Sequence, residues 1–247
     1  MGTELRFGGQ QMRAFESTAR DRFVDEMMAH LRTFAAHRCG ALPEASLYDA
    51  VAAGVRRADA HAMRRRGPIR LFLEAMVLLG HEFDSDPVHR VITARLRGPE
   101  DEMVRARHMY DELLKYRDRV TSPDGSNLRA GLAGLIAAAQ GDAIAADPRV
   151  LAAAFPAKAE HAGEHGLRAL AQQATHVARA HGLDSPRAQG VLLVTMFALG
   201  HGALGDWSHP TIAAALAGRR DVEARFADAA LAELIRERAA AAGEVPR

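Results

Sequence analysis

Apolar positions recur at helical spacing along almost the whole chain. From 9 to 37, Met12, Phe15, Phe23, Met27 and Leu31 share one face and predict a long amphipathic first helix. A second helix is expected over 44–62, stopped by Arg64-Arg65-Arg66 and Gly67-Pro68. The segment IRLFLEAMVLLG is apolar on nearly every side, as in a central helix packed all round, and Gly80 is its natural C-terminal stop. Asp84-Ser85-Asp86-Pro87 then reads as a loop and N-cap, with proline in the first turn of a short helix to about Arg97. Residues 100–120 close the unit, with Met103, Ala106, Tyr110, Leu113 and Leu114 expected on the inner face. Strand-like alternation is missing, and only Glu4-Leu5-Arg6-Phe7 could form a strand.

The pattern then repeats. An ungapped slide of 120 residues lays 60–119 on 180–239 with about 16 of roughly 60 positions identical. The matches include His61/His181, Met76/Met196, Gly80/Gly200, His81/His201, Asp86/Asp206, His89/His209 and Arg105/Arg225, and upstream Glu44/Glu164. The expected architecture is all-α, with two pseudo-repeats of a helical unit (34–119 and 154–239) packed as one helical body. The organisation is an N-terminal unit over 1–122, an Ala/Gly-rich helical connector over 123–153, and a C-terminal unit over 154–247.

Composition narrows the function classes. A net charge of +1 draws in neither nucleic acid nor anionic lipid. Arg56, Arg57 and Arg64–Arg66 form a basic patch, but acidic residues surround it without interleaved aromatics, so a solvated helix face is the preferred reading. No apolar run approaches the ~20 residues that span a bilayer. The polar start MGTELRFGGQQMRAFE and the single Cys39 point to a reducing, cytoplasmic location.

The chemistry-bearing candidate is the repeated His-x4-Asp-x2-His: His81, Asp86 and His89, then His201, Asp206 and His209. These are acceptable Zn or Fe ligands, and two helices meeting at a loop can gather them. Each residue also has a local structural role, since a cation suits the end of the preceding helix and an aspartate before a helix start is a cap. The structural reading is preferred, so no metal, cofactor or catalytic residue is assigned. His161-Ala162-Gly163-Glu164-His165 matches the inverted zinc-peptidase pattern, but Gly163 interrupts it and it reads as a loop and N-cap. Met63, Met76, Met103, Met109 and Met196 read as core. Trp207, the only tryptophan, is either a packing plug or an exposed anchor for a protein partner. Phosphate-binding glycine loops and the G-x-S-x-G nucleophile motif are absent.

Residues 7–119 resemble a family of all-helical bacterial proteins often encoded beside type VI secretion effector and spike genes. The most specific pieces are Gln11-Met12-x2-Phe15 through Met27-x2-His30-Leu31, and Leu79-Gly80-x2-Phe83-Asp84-x-Asp86-Pro87. The second half looks like a divergent copy, with Ala203-Leu204-Gly205-Asp206-Trp207 in place of the second piece. The resemblance implies a setting, not an activity: a non-enzymatic accessory protein, a binding partner or chaperone of a secretion effector or spike component. A cognate immunity protein is a close variant. The rival from another class is a metal-dependent enzyme built on the repeated histidines. Oligomeric state is left open.

Overall fold

A computed structural model describes the backbone of residues 9–141, 144–218 and 220–243, and side chains within those ranges from residue 20 onward. The Glu4–Phe7 candidate strand lies outside the described residues; among those described there is no strand, and the fold is all-α. The first half holds α1 (Gly9–Phe34), α2 (Ala36–Cys39), α3 (Glu44–Ala60), α4 (Arg66–Leu79), α5 (Arg90–Thr93) and α6 (Glu102–Tyr116). Next come α7 (Ser126–Gln140), α8 (Pro148–Ala154), α9 (Pro156–Ala180), α10 (Pro186–Leu199), α11 (Pro210–Leu216) and α12 (Val222–Ala241).

Element boundaries recur at the offset seen in the sequence. Adding 120 carries α4 onto α10, and the 3-10 turn Phe83–Ser85 onto Ala203–Gly205. Helix α9 breaks helical geometry at Gly163 (φ 66°, ψ 166°), and its remainder, 164–180, corresponds to α3. After the corner the halves diverge. The first uses 3-10 turns at Pro87–His89 and Ala94–Leu96 around the four-residue α5, where a continuous short helix was expected; the second uses α11.

Two apolar clusters fill the interior. The first is built on α1, α3 and α4, with Phe72, Leu73, Met76 and Leu79 buried along α4. The second is built on α7, α9, α10 and α12, around Leu193, Met196, Phe197 and Leu199. Each such side chain stabilises by ~1.5–3 kcal/mol on leaving water. The expected connector therefore contributes a core helix: α7 buries Leu132 and Leu135 and packs mainly on α12. The clusters interlock, since Val88 of the first half lies in the second cluster and Trp207 of the second half packs on the first.

Two expectations about individual helices need correction. The first helix does not run to 37; Ala35 leaves helical geometry (φ −135°, ψ 60°), and the chain turns into α2 so that Arg38 reaches Glu237 and the Val77 carbonyl. In α6 the inner face is rotated from the one expected. Ala106 and Met109 are buried, but Met103 and Tyr110 are 47% and 50% exposed. Arg105 takes an inner position instead, donating to the carbonyls of His61, Ala62 and Leu96. Those carbonyls end helices and turns without intrahelical partners, so a buried arginine satisfies them. Hydrophobic periodicity cannot register that.

Candidate functional site

The repeated Leu-Gly-His corners face each other. Gly80 (φ 107°, ψ 150°) and Gly200 (φ 107°, ψ 152°) meet backbone to backbone where α4 and α10 end. Asp86 Oδ1 caps its own turn at Val88 N–H (2.8 Å), while Oδ2 accepts from His201 N–H in the other half (2.9 Å). Asp206 does the same in reverse, accepting from Ser208 N–H (2.8 Å) and His81 N–H (3.2 Å). Each aspartate thus closes one corner and ties it to the other.

That reciprocity disperses the six metal-ligand candidates. Nδ1 of His81 stands 3.5 Å from Asp206. The ring of His201 contacts Gln173 Nε2 (2.8 Å), Ser85 Oγ (3.2 Å) and the Glu82 carbonyl (3.0 Å). His209 pairs with Glu233 (3.1 Å), and His89 is buried against the rings of Tyr116 and His161. Among the described residues, no three His, Cys, Asp or Glu side chains form a group that could hold a metal ion. The His161–His165 stretch is interrupted at Gly163, as its sequence suggests, but as a kink between two helical segments of α9 and not as an open loop; His161 packs on Tyr116, while His165 is exposed and Glu164, at the start of the second segment, pairs with Arg168. Trp207 is half-buried, with its indole N–H unpartnered. In the basic patch, Arg57, Arg64, Arg65 and Arg66 pair with Asp84, Asp59, Asp101 and Glu26 respectively.

The structure offers a different candidate. A cavity of about 510 Å³ opens where the two halves meet, walled by α1, α2, α4, α6, α7, α10, α12 and the start of α9. Its size is that of sites for small organic ligands. The lining is largely apolar, with Leu71, Val77, Leu113, Leu132, Phe155 and Leu199 among its residues. Three of the chain's exposed large apolar residues, Phe34, Leu78 and Tyr110, also line it and give it an apolar rim.

Among the described residues, one cation of the cavity lining has no anionic partner within ion-pair distance. Lys158 is 5% exposed; its Nζ donates to the Ala198 carbonyl (3.2 Å), lies 5.3 Å from the Phe197 ring, and makes no ion pair among the described residues. Burial pushes its pKa down to about 8; Asp86 works against that shift and Arg38 adds to it. The other charged groups of the lining are paired. Arg38 holds Glu237 at 2.6 Å with His37 3.8 Å away, Glu74 bonds His30 and Arg70, and Arg117 pairs with Asp118.

Beside the cavity, Tyr116 separates it from a cluster of unsatisfied histidine nitrogens, both of His89 and Nε2 of His161. Burial first, then the positive charge of Lys158, keeps His89 well below the ordinary histidine range and brings His161 to about 4. Both rings are therefore neutral in the folded protein at neutral pH. The unfolded chain takes up these protons as pH falls through ~6.5, and the folded protein does not, so stability is lost on acidification from there towards pH 4. Comparing Tm at pH 7 and pH 5 should show this loss as several degrees, and His161→Phe should shrink it. An equal loss in both proteins would remove His161 from the account.

Sequence reading did not find Lys158. A signal was present: the chain has 32 Lys and Arg, of which only Lys115 and Lys158 are lysine. In an arginine-based chain, a lysine set in Phe-Pro-Ala-Lys-Ala marks a place for a compact charge that burial can tune. Cys39 offers no comparable chemistry, because burial pushes its thiol up to about 11.

No protein family, no characterised protein and no solved structure matches the chain.

Proposed function

We propose that the chain is a non-enzymatic helical binding protein that works through the cavity rim, and that its partner is a type VI secretion effector or spike component. The observation that carries the binding reading is the exposed apolar ring of Phe34, Leu78 and Tyr110 around a ready-made cavity. Large apolar side chains clustered at a concave surface are what buried interface anchors dock against. The non-enzymatic part is supported by the use made of the repeated His-Asp corners, whose aspartates are occupied in joining the halves. The identity of the partner rests on the resemblance of residues 7–119, and a cytoplasmic site of action on the single buried Cys39. An effector chaperone and an immunity protein would use the same rim.

Co-expression of the chain with the products of neighbouring secretion genes tests this. One of them should co-purify, and Leu78→Asp with Tyr110→Asp should abolish co-purification while leaving Tm within a few degrees, because both positions are half exposed. A folded rim variant that retains the partner at wild-type level would refute the rim as the contact.

A further inference from the structure

We propose that the cavity beneath the rim binds a free straight-chain monocarboxylate, with its carboxylate on Lys158 and its alkyl chain against the apolar wall. The inference concerns a small ligand, takes the cavity as its site and does not depend on the protein partner.

Hydrogen-bond accounting comes first. An ammonium has three donors. Lys158 spends one, on the Ala198 carbonyl, and the described residues provide no carboxylate partner for the other two. A buried cation with idle donors is costly unless an anion completes it. The wall points to the same ligand. Leu132, Phe155 and Leu199 are among a mostly apolar lining, whose neutral polar side chains are the hydroxyls of Tyr110, Tyr116 and Thr121. A ligand polar at one end and apolar elsewhere satisfies both.

Charge complementarity selects the sign. Glu237 and Glu74 are the carboxylates in the lining, and both are neutralised, by Arg38 and by Arg70 with His30. Asp86 is occupied by the N–H groups of Val88 and His201 and is not part of the lining. An entering carboxylate thus meets, among the described residues, one cation with no carboxylate in contact and no free anion in the lining. A trialkylammonium headgroup would meet the reverse. A bare alcohol could accept from Lys158 but would leave the charge uncompensated.

Calorimetric titration of the full chain with dodecanoate, dodecanol and dodecyltrimethylammonium tests the proposal. Dodecanoate should bind with one site per chain, about tenfold or more tighter than dodecanol, and the ammonium should not bind. Lys158→Met should remove that preference, weakening dodecanoate about tenfold more than it weakens dodecanol. Should the variant not fold, dodecanoate should still raise the Tm of the wild-type protein and dodecanol should raise it less. Equal affinity for acid and alcohol would overturn the carboxylate assignment and leave the cavity as an apolar site. No binding by either would overturn the cavity as a ligand site, with the rim contact still open to its own co-purification test. Binding of a leucine-ended peptide through its free carboxylate, without binding of dodecanoate, would overturn the proposal in favour of a polypeptide terminus.

Discussion

Gly200→Ala is expected to lower stability by about 3–5 kcal/mol, and Gly80→Ala by a similar amount. Two costs combine. Both glycines have φ 107° with ψ near 150°, a region that L-residues scarcely enter, and that alone costs ~1–3 kcal/mol. A Cβ on Gly200 would also sit 2.8 Å from the Leu79 carbonyl oxygen and 3.0 Å from Gly80 Cα; one on Gly80 would sit 2.7 Å from the Leu199 oxygen. These neighbours are backbone and cannot swing aside. Relief requires the two central helices to separate, which strains the aspartate bonds across the corners. Gly205→Ala is the control, because its Cβ would meet nothing within 4 Å. Urea denaturation of the three variants provides the measurement. Gly200→Ala within ~1 kcal/mol of wild type would mean that the corner contact is not held in solution.

Lys158→Met should stabilise the unliganded protein by about 1–3 kcal/mol at pH 7, because it replaces a buried, unpaired cation with an apolar chain of similar length. The pH dependence separates this cause from better packing. The lysine sits at about 8 in the folded protein and 10.5 in the unfolded chain. Below pH 8 both states are protonated and the burial cost is present in full. From about 8 to 10.5 the unfolded chain keeps its proton while the folded protein has lost it, so wild-type stability rises with pH. The variant lacks this rise, and its advantage should close over that window. Denaturation at pH 7 and pH 10 measures it. A loss of stability at pH 7, or a gain unchanged at pH 10, would mean that the lysine is not a cost to the free protein. A residue that destabilises the empty protein is what a binding site, as distinct from a core, leaves behind.

Much of the fold was legible in order along the chain. Helix spacing, Gly80 and Gly200 as stops, Asp86 as a cap and the buried runs ending at Leu79 and Leu199 are set by each segment's own apolar pattern and backbone chemistry. Those are local properties, and the structure places them as expected except at Leu78, which the first run put inside and which is 54% exposed at the cavity rim. The same reading put Tyr110 and Met103 inside, because periodicity ranks side chains by hydrophobicity and cannot know that Arg105 is wanted inward by three carbonyls from other segments. The histidines of the corners attracted attention through spacing alone, whereas distance in space separates them and ties His81 to Asp206 and His201 to Asp86.

By itself, then, the sequence determined an all-α chain, the positions of its central helices and the glycine corners between them, since each depends on interactions within a few residues. Only the tertiary structure decided what the surfaces do. Lys158 gains meaning from the Ala198 carbonyl and the apolar wall around it, and the cavity exists because helices from both halves fail to close over one another. Burial and charge pairing are sums over neighbours distant in sequence, and no local pattern carries them.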